Sequence, residues 1–283
     1  MVQVSYRRVR ALSVALGAMT LAAGLPLRAE AQQQSAPAIS PAKVQAAYKI
    51  SLNGFELGDF NFKSNVSRTS YTLDTDVQIS ALLGVFKWKG VTRSTGTLSA
   101  KAPKPEDFRF NYESSVRNGS ISMGFGQDGL ETLSVLPTTI EAADTVPLTR
   151  AHLKNVVDPL SAILVITHSS AATPCGRKVA VFDGKQRFDI DLRFARKEAV
   201  AGIEGETAIV CRVKYTPIAG YRPTEETREL ATSNGIEIAF RMVPSAKLMI
   251  PQSMTLPTAA GQARIDLQSV NIEVPNGQLA SAQ

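Results

Sequence analysis

The chain has 283 residues, of which 44% are hydrophobic and 20% charged, and its formal net charge is +6. Lys and Arg residues are spread along the chain without forming a phosphate-binding cluster, so a nucleic-acid partner is excluded. The chain contains no phosphate-binding loop, dinucleotide fingerprint or zinc-protease motif, so we predict no enzyme activity, no cofactor and no catalytic or metal-binding residue.

The first predicted element is an export signal over residues 1–31. Three arginines within residues 7–10 precede the apolar run ALSVALGAMTLAAGLPL, residues 11–27, and a small-x-small cleavage site ends at Ala31. A transmembrane helix needs roughly 20 apolar residues, so we expect cleavage after Ala31 and a periplasmic mature protein. Cleavage removes four arginines and one glutamate, which lowers the formal charge from +6 to +3.

Residues 32–43 are polar and contain proline, and they predict a flexible leader. The end of the chain, residues 275–283, is expected to form a flexible tail. Residues 44–274 form a single predicted β-rich domain, because apolar side chains recur at every second position. In RFDIDLRFAR, residues 187–196, the apolar side chains from Phe188 to Phe194 are expected on one face.

Strands that alternate in this way have one wet face and belong to antiparallel sheets. A phase slip near Gln268 predicts a β-bulge. Tight hairpin turns are predicted at five pairs, namely Asn53-Gly54, Asn118-Gly119, Asp128-Gly129, Asp183-Gly184 and Asn234-Gly235. The fold class is therefore mostly β, with about 12 to 14 strands in a large curved antiparallel sheet or a partly closed barrel.

The segment ALLGVFKWKG, residues 81–90, has two interpretations. If Gly84 is a hairpin tip, the segment is an exposed apolar loop flanked by cations, suited to contact a membrane or a ligand. Alternatively, it is a strand pair buried in the core, with Gly84 at a bend. The apolar residues concerned are Leu82, Leu83, Val85, Phe86 and Trp88.

The segment VVDPLSAILVITHS, residues 156–169, predicts one short helix at about residues 158–168. Asp158 can cap its free N–H groups, and Pro159 suits the first turn. Apolar side chains cover almost the whole circumference, so the helix must be buried. We expect it to lie on the concave side of the sheet. Farther along, residues 216–230 predict a long irregular connection.

His152, Asp158 and Ser161 resemble the residue types of a nucleophile triad. Ser161 lacks the G-x-S-x-G setting that exposes a nucleophile on a sharp turn. Asp158 already has a capping role, so we interpret Ser161 as a small residue in helix packing.

Cys175 and Cys211 are the two cysteines, and an even count in an exported chain predicts one disulfide. The alternative is a pair of metal ligands. Zinc would need two more ligands, and the two histidines, His152 and His168, lack motif spacing.

Four segments together resemble an uncharacterised family of exported proteobacterial proteins, domain of unknown function 3108. The segments are YKISLNGFELGDF, DPLSAILVI, VFDGKQRFDIDL and CRVKYTPIAGY. The resemblance extends over roughly residues 46–273. It implies an envelope location and a β-rich fold, and it supports the Cys175–Cys211 bridge. The family has no agreed activity, so the resemblance assigns no catalytic residue.

These features predict a periplasmic, non-enzymatic protein that binds or carries an apolar envelope ligand such as a lipid, with peripheral membrane contact. The alternative is an envelope assembly or integrity scaffold that contacts an envelope protein, with the helix filling the interior. A cavity larger than a few hundred Å³ beside the helix, which is the usual scale of ligand pockets, would count against the scaffold. An outer-membrane barrel is a third interpretation, against which stand the mid-chain helix and an aromatic content of 6%.

Overall fold

The computed structural model describes residues 41–81, 84–99, 102–138, 141–167, 174–244, 246, 248–275 and 279–282. All of these residues belong to one compact unit. The predicted signal peptide and most of the predicted leader lie outside the described residues. The first strand begins at Ala42, within the segment predicted as leader.

Strands make up most of the described chain, which confirms the predicted fold class. The strands are β1 (Ala42–Leu52), β2 (Phe55–Val66), β3 (Ser70–Ala81), β4 (Phe86–Leu98), β5 (Pro103–Ser114), β6 (Gly119–Phe125), β7 (Leu130–Leu136), β8 (Arg177–Phe182), β9 (Arg187–Ala199), β10 (Thr207–Ala219), β11 (Glu237–Val243), β12 (Leu248–Thr258), β13 (Gly261–Glu273) and β14 (Leu279–Ala282). The helices are α1 (Pro159–Thr167) and α2 (Glu225–Thr232), with a 3-10 turn at Arg150–Leu153. None of the helices in these described ranges is long and apolar enough to cross a lipid bilayer.

One curved antiparallel sheet contains all the strands, in the order β7-β6-β5-β4-β3-β2-β1-β13-β12-β11-β10-β9-β8. The pairing of β1 with β13 joins an N-terminal meander to a C-terminal one. The register of that pair shifts at Gln268, which confirms the predicted bulge. At Asn53 and Gly54, φ values of 50° and 85° form the tight turn predicted between β1 and β2.

The edge strands β7 and β8 do not pair with each other, so the sheet is not a closed barrel. The segment before α1 makes a bridge to each half of the sheet instead. Lys154 forms an antiparallel bridge with Gly129, in the turn before β7, and Val157 forms a parallel bridge with Val181 of β8. The N–H of Val157 donates to the carbonyl of Ala180 at 2.9 Å. This short segment therefore spans the gap between the sheet edges.

Four turns that are neighbours along the sheet lie at the same end of it. We call this end the hairpin rim. They are the turns β1–β2, β3–β4, β5–β6 and β12–β13, whose common side follows from the antiparallel pairing. The N–H of Asn53 donates to the carbonyl of Gln262 at 2.9 Å, which joins two of these turns.

Two expectations about connections were wrong. Asn234-Gly235 is not a hairpin turn, because the connection between β10 and β11 contains α2. The segment 216–230 is not one irregular loop, since β10 continues to Ala219 and α2 follows. Thr224 caps α2 by accepting the N–H of Thr227, and acidic residues occupy its first turn.

Two further regions differ from the expected pattern. Strand β14 lies within the predicted flexible tail. It pairs with β13 from Val270 onward, a part of β13 with which β12 does not pair. The free edge of β13 offers N–H and C=O groups that β14 satisfies. Phe194 is 58% exposed, because the pairing of β8 with β9 stops at Leu192 and leaves this part of β9 uncovered.

Helix α1 lies against the concave face, as predicted, and its two sides pack against different halves of the sheet. Leu160 and Leu164 join a cluster with side chains of β3, β5 and β6. Ala162 and Ile166 join a second cluster with side chains of β8 to β12. Apolar residues around the whole circumference are thus required, because the helix is enclosed on more than one side.

Candidate ligand cavity

The carboxylate of Asp158 fixes the N-terminus of α1 to the sheet. Oδ1 accepts the N–H groups of Leu160 and Ser161, both at 2.9 Å. Oδ2 accepts the hydroxyls of Ser161 at 2.5 Å and of Ser94 at 2.9 Å. The hydroxyl of Tyr71 lies 2.7 Å from that of Ser161. Asp158 therefore caps the helix and also joins it to β3 and β4.

This polar cluster is fully enclosed, and enclosure sets its protonation behaviour. Asp158, Ser161 and Ser94 are each 0% exposed. Burial raises the pKa of Asp158, and the hydrogen bonds from Ser161 and Ser94 oppose that shift. Burial likewise raises the pKa of Tyr71, so its phenol stays neutral. The hydroxyl of Ser161 is thus buried and hydrogen-bonded to the carboxyl group of Asp158.

A cavity of about 370 Å³ lies between α1 and the concave face of the sheet. Side chains of β1, β2, β11 and β12 form its walls, and the later turns of α1 form another side. The inward residues of β1 in this wall are Val44, Ala46, Tyr48 and Ile50. The helix has nine residues and packs chiefly on β4, β5, β8 and β12. The helix therefore leaves the central strands β1 and β2 largely uncovered, and the small Ala46 adds further space.

The cavity wall is apolar and contains no charged side chain. Its polar side chains are the hydroxyl-bearing Ser64, Ser253, Thr167 and Tyr48. The hydroxyl of Tyr48 donates to the carbonyl of Pro251 at 3.1 Å, and burial raises its pKa, so it is neutral and already paired. An apolar group fits this wall, whereas a charged group would lose its hydration without a partner.

The two ends of the cavity differ in exposure. At the end away from the hairpin rim, Val44 is 8% and Leu248 5% exposed, so that end is closed. Toward the hairpin rim, the lining residues Ile50, Phe60 and Val77 are only half-buried. The cavity therefore opens toward the hairpin rim.

An aromatic ledge continues the cavity wall toward that rim. Trp88 of β4 lies on the concave face over Gly90, where a Cβ would come within 2.3 Å of the indole ring. Its ring centroid is 6.2 Å from that of Phe110, which stacks on Tyr112 at 5.6 Å. Gly90 pairs in register with Val77 of the cavity wall. The ledge thus extends from the cavity to the strand ends.

The segment 81–90 combines features of both sequence interpretations. Gly84, with φ of +87°, lies in the turn, and Val85 is 77% exposed. Phe86 and Trp88 are half-buried strand residues. Leu82 and Leu83 lie outside the described residues.

The predicted disulfide is confirmed: Cys175 and Cys211 are bonded, with Cα atoms 5.5 Å apart. Both cysteines belong to the core cluster that contains Ala162 and Ile166 of α1. The bridge connects the residues before β8 to β10, so it holds together the strands that pack on the helix. Within the described ranges, no group of three or more His, Cys, Asp or Glu side chains is placed to hold a metal ion.

Two other residues considered from the sequence have structural partners. The Nδ1 of His152 accepts the N–H of Thr149 at 3.2 Å, within the 3-10 turn. His168 lies outside the described residues. Arg222 donates to both carboxylate oxygens of Asp144, at 2.9 and 3.1 Å. The ion pair ties the β10–α2 connection to the segment that precedes α1.

Sequence reasoning missed the cavity walls on β1 and β12. The alternation in AKVQAAYKISL does place Val44, Ala46 and Tyr48 on one face, and an inward alanine is a weak signal for free space. The signal is weak because the size of the space depends on what lies opposite, and Pro251 is 203 positions from Tyr48.

Comparisons with known proteins give a family and one distant structural neighbour. The family model described as "Protein of unknown function (DUF3108)" matches residues 47–268. A search of curated proteins finds no match. The fold is similar to the crystal structure of a beta-barrel-like protein of domain of unknown function DUF1849 from Brucella abortus. That match has 12% identity and a TM-score of 0.45, and it covers 83% of this chain and 100% of the other.

Proposed function

We propose that this chain, which belongs to the family of uncharacterised proteins described as DUF3108, binds an apolar ligand with a hydrocarbon chain and carries it in the periplasm. The observation that carries the proposal is the apolar cavity of about 370 Å³ between α1 and the sheet. Ligand pockets typically start at about 300 Å³. The disulfide is compatible with an oxidising compartment outside the cytosol.

The size and chemistry of the cavity favour a chain-like ligand. An apolar cavity of about 150 Å³ stays dry and binds benzene in another protein, and this cavity, at 370 Å³, is more than twice as large. No charged residue lines it, so a charged or strongly polar headgroup would remain outside. The half-buried residues at the open end would contact the part of the chain nearest the headgroup.

A non-enzymatic role is part of the proposal. Ser161 has no access to solvent, and its hydroxyl is held by Asp158. The scaffold alternative requires that the helix fill the interior, and a cavity of this size beside the helix counts against it.

The test combines an endogenous-ligand search with a direct binding measurement. A native mass spectrum of mature protein from its own periplasm should show extra mass in the lipid range. A fluorescent fatty acid should then bind saturably, with one probe per chain. Protein without bound lipid and without saturable probe binding would overturn the proposal and support the scaffold.

A matched pair of variants locates the binding. Ala46→Phe places a ring in the cavity, whereas Ala47→Phe places the same ring on the opposite face of β1. We expect Ala46→Phe to weaken probe binding by at least about tenfold, with Ala47→Phe unchanged. Thermal melts of both variants control for folding. Equal effects of the two substitutions would exclude this cavity as the binding site.

A further inference from the structure

The hairpin rim presents the most exposed large hydrophobic side chains of the described chain. Val116 is 82% exposed, and Val85 and Phe55 are each 77% exposed. Val116 and Val85 lie in the turns β5–β6 and β3–β4, and Phe55 is the first residue of β2, directly after the turn β1–β2. These three turns are neighbours along the sheet. Single exposed apolar residues are common, but these three lie at adjacent turns along one rim of the sheet.

Hydrogen bonds hold two of these turns together. The N–H of Ser115 donates to the carbonyl of Lys87 at 3.0 Å, and the N–H of Lys87 donates to the hydroxyl of Ser115 at 3.0 Å. The same hydroxyl donates to the carbonyl of Val85 at 3.3 Å. The segments that carry Val85 and Val116 are therefore hydrogen-bonded to each other, which lowers the ordering cost of binding.

Cations accompany the apolar tips. Lys87, Lys89 and Arg117 are exposed at the same strand ends. None of the three takes part in the ion pairs found within the described ranges. Acidic residues at these strand ends include Glu113, opposite Lys89 in the pairing of β4 with β5, and Glu56, which is exposed at the start of β2 and pairs with Lys49. Apolar tips with an excess of positive charge complement an anionic lipid surface.

We propose that the hairpin rim docks on an anionic lipid surface. Val85, Val116 and Phe55 enter the boundary between headgroups and acyl chains, and Lys87 and Arg117 contact the headgroups. The open end of the cavity then faces the bilayer, because it opens toward the same rim. Docking depends on the exposed turns alone, so it does not require that the cavity bind a ligand.

Vesicle flotation tests the proposal with mature protein. The wild type should float with vesicles of phosphatidylglycerol and phosphatidylcholine, and the fraction bound to vesicles should fall as the salt concentration rises. The double variant Val85→Asp/Val116→Asp should lose at least about tenfold in partitioning. Leu133→Asp/Phe194→Asp is the matched control, since both residues are exposed but lie away from the rim turns.

The remaining measurements separate this proposal from the ligand-binding one. Fatty-acid probe binding without vesicles should be unchanged in the rim variant, which also shows that the variant is folded. Failure of the wild type to float, or equal partitioning of both double variants, would overturn membrane docking. A concentration-dependent dimer that the rim substitutions abolish, without vesicle binding, would instead assign the rim to a second copy of the chain.

Discussion

Val44 lies at the closed end of the cavity. A larger side chain at this position should shorten the longest hydrocarbon chain that the cavity accepts. Val44 is 8% exposed and points inward from β1, between β2 and β13. Phe has about four more carbon atoms than Val, so Val44→Phe fills the closed end with a volume of about four methylenes. The substitution leaves the half-buried open end unchanged.

The magnitude follows from the cavity volume. A group the size of a water molecule takes about 30 Å³, so a cavity of 370 Å³ holds about a dozen such groups. Each buried methylene contributes about 0.8 kcal/mol, or about fourfold in affinity. Affinity for fatty acids should therefore rise about fourfold per methylene and level off at about 12 carbons. In Val44→Phe it should level off about four carbons earlier, with a loss of about 3 kcal/mol for the longest chains.

The assay is displacement of a fluorescent fatty acid by a series of unlabelled acids of increasing length. Gln45→Phe is the control, because Gln45 is exposed on the other face of the same strand. Urea titration of both variants checks that stability is retained, since overpacking costs about 1–3 kcal/mol where no space exists. Affinities that do not depend on chain length, or an equal shift of the plateau by Gln45→Phe, would show that the chain does not occupy this cavity.

Two further predictions concern stability. Cys175→Ala/Cys211→Ala opens a loop with a sequence separation of 36 and should lower the free energy of unfolding by about 4 kcal/mol. In urea titrations the reduced wild type should be as stable as this variant. A variant as stable as the oxidised protein would contradict the stabilising role of the disulfide. Asp158→Asn keeps an acceptor for the helix N–H groups but does not titrate. The pKa of Asp158 is raised in the folded state, so between the ordinary aspartate pKa and this raised pKa the folded state binds more protons than the unfolded state. The wild type therefore loses stability as the pH rises through this interval, and loses no more above it. As the pH rises from about 4 to about 8, the urea midpoint of the wild type should therefore fall relative to that of Asp158→Asn. A wild-type midpoint that rises relative to that of the variant would contradict the raised pKa.

Local patterns were sufficient for the elements. The predicted helix at about residues 158–168 matches α1 at Pro159–Thr167, because Asp158 and Pro159 are start signals that act within one turn. The phase slip near Gln268 located a bulge for a similar reason, since side-chain alternation is a property of the strand itself. The pattern TEETREL contains the cap and acidic first turn of α2, and there the signal was present but overlooked.

Local sequence patterns thus specify most of the strands and their apolar faces, the buried helix, and the two cysteines that are available to pair. These properties depend on neighbours within a few residues. Two other features depend on the folded chain as a whole: β14 completes the free edge of β13, and the nine-residue α1 leaves the central strands uncovered. The cavity and the hairpin rim arise where distant segments meet, as at Tyr48 and Pro251. Their shape depends on sheet curvature and helix position together, which no local pattern encodes.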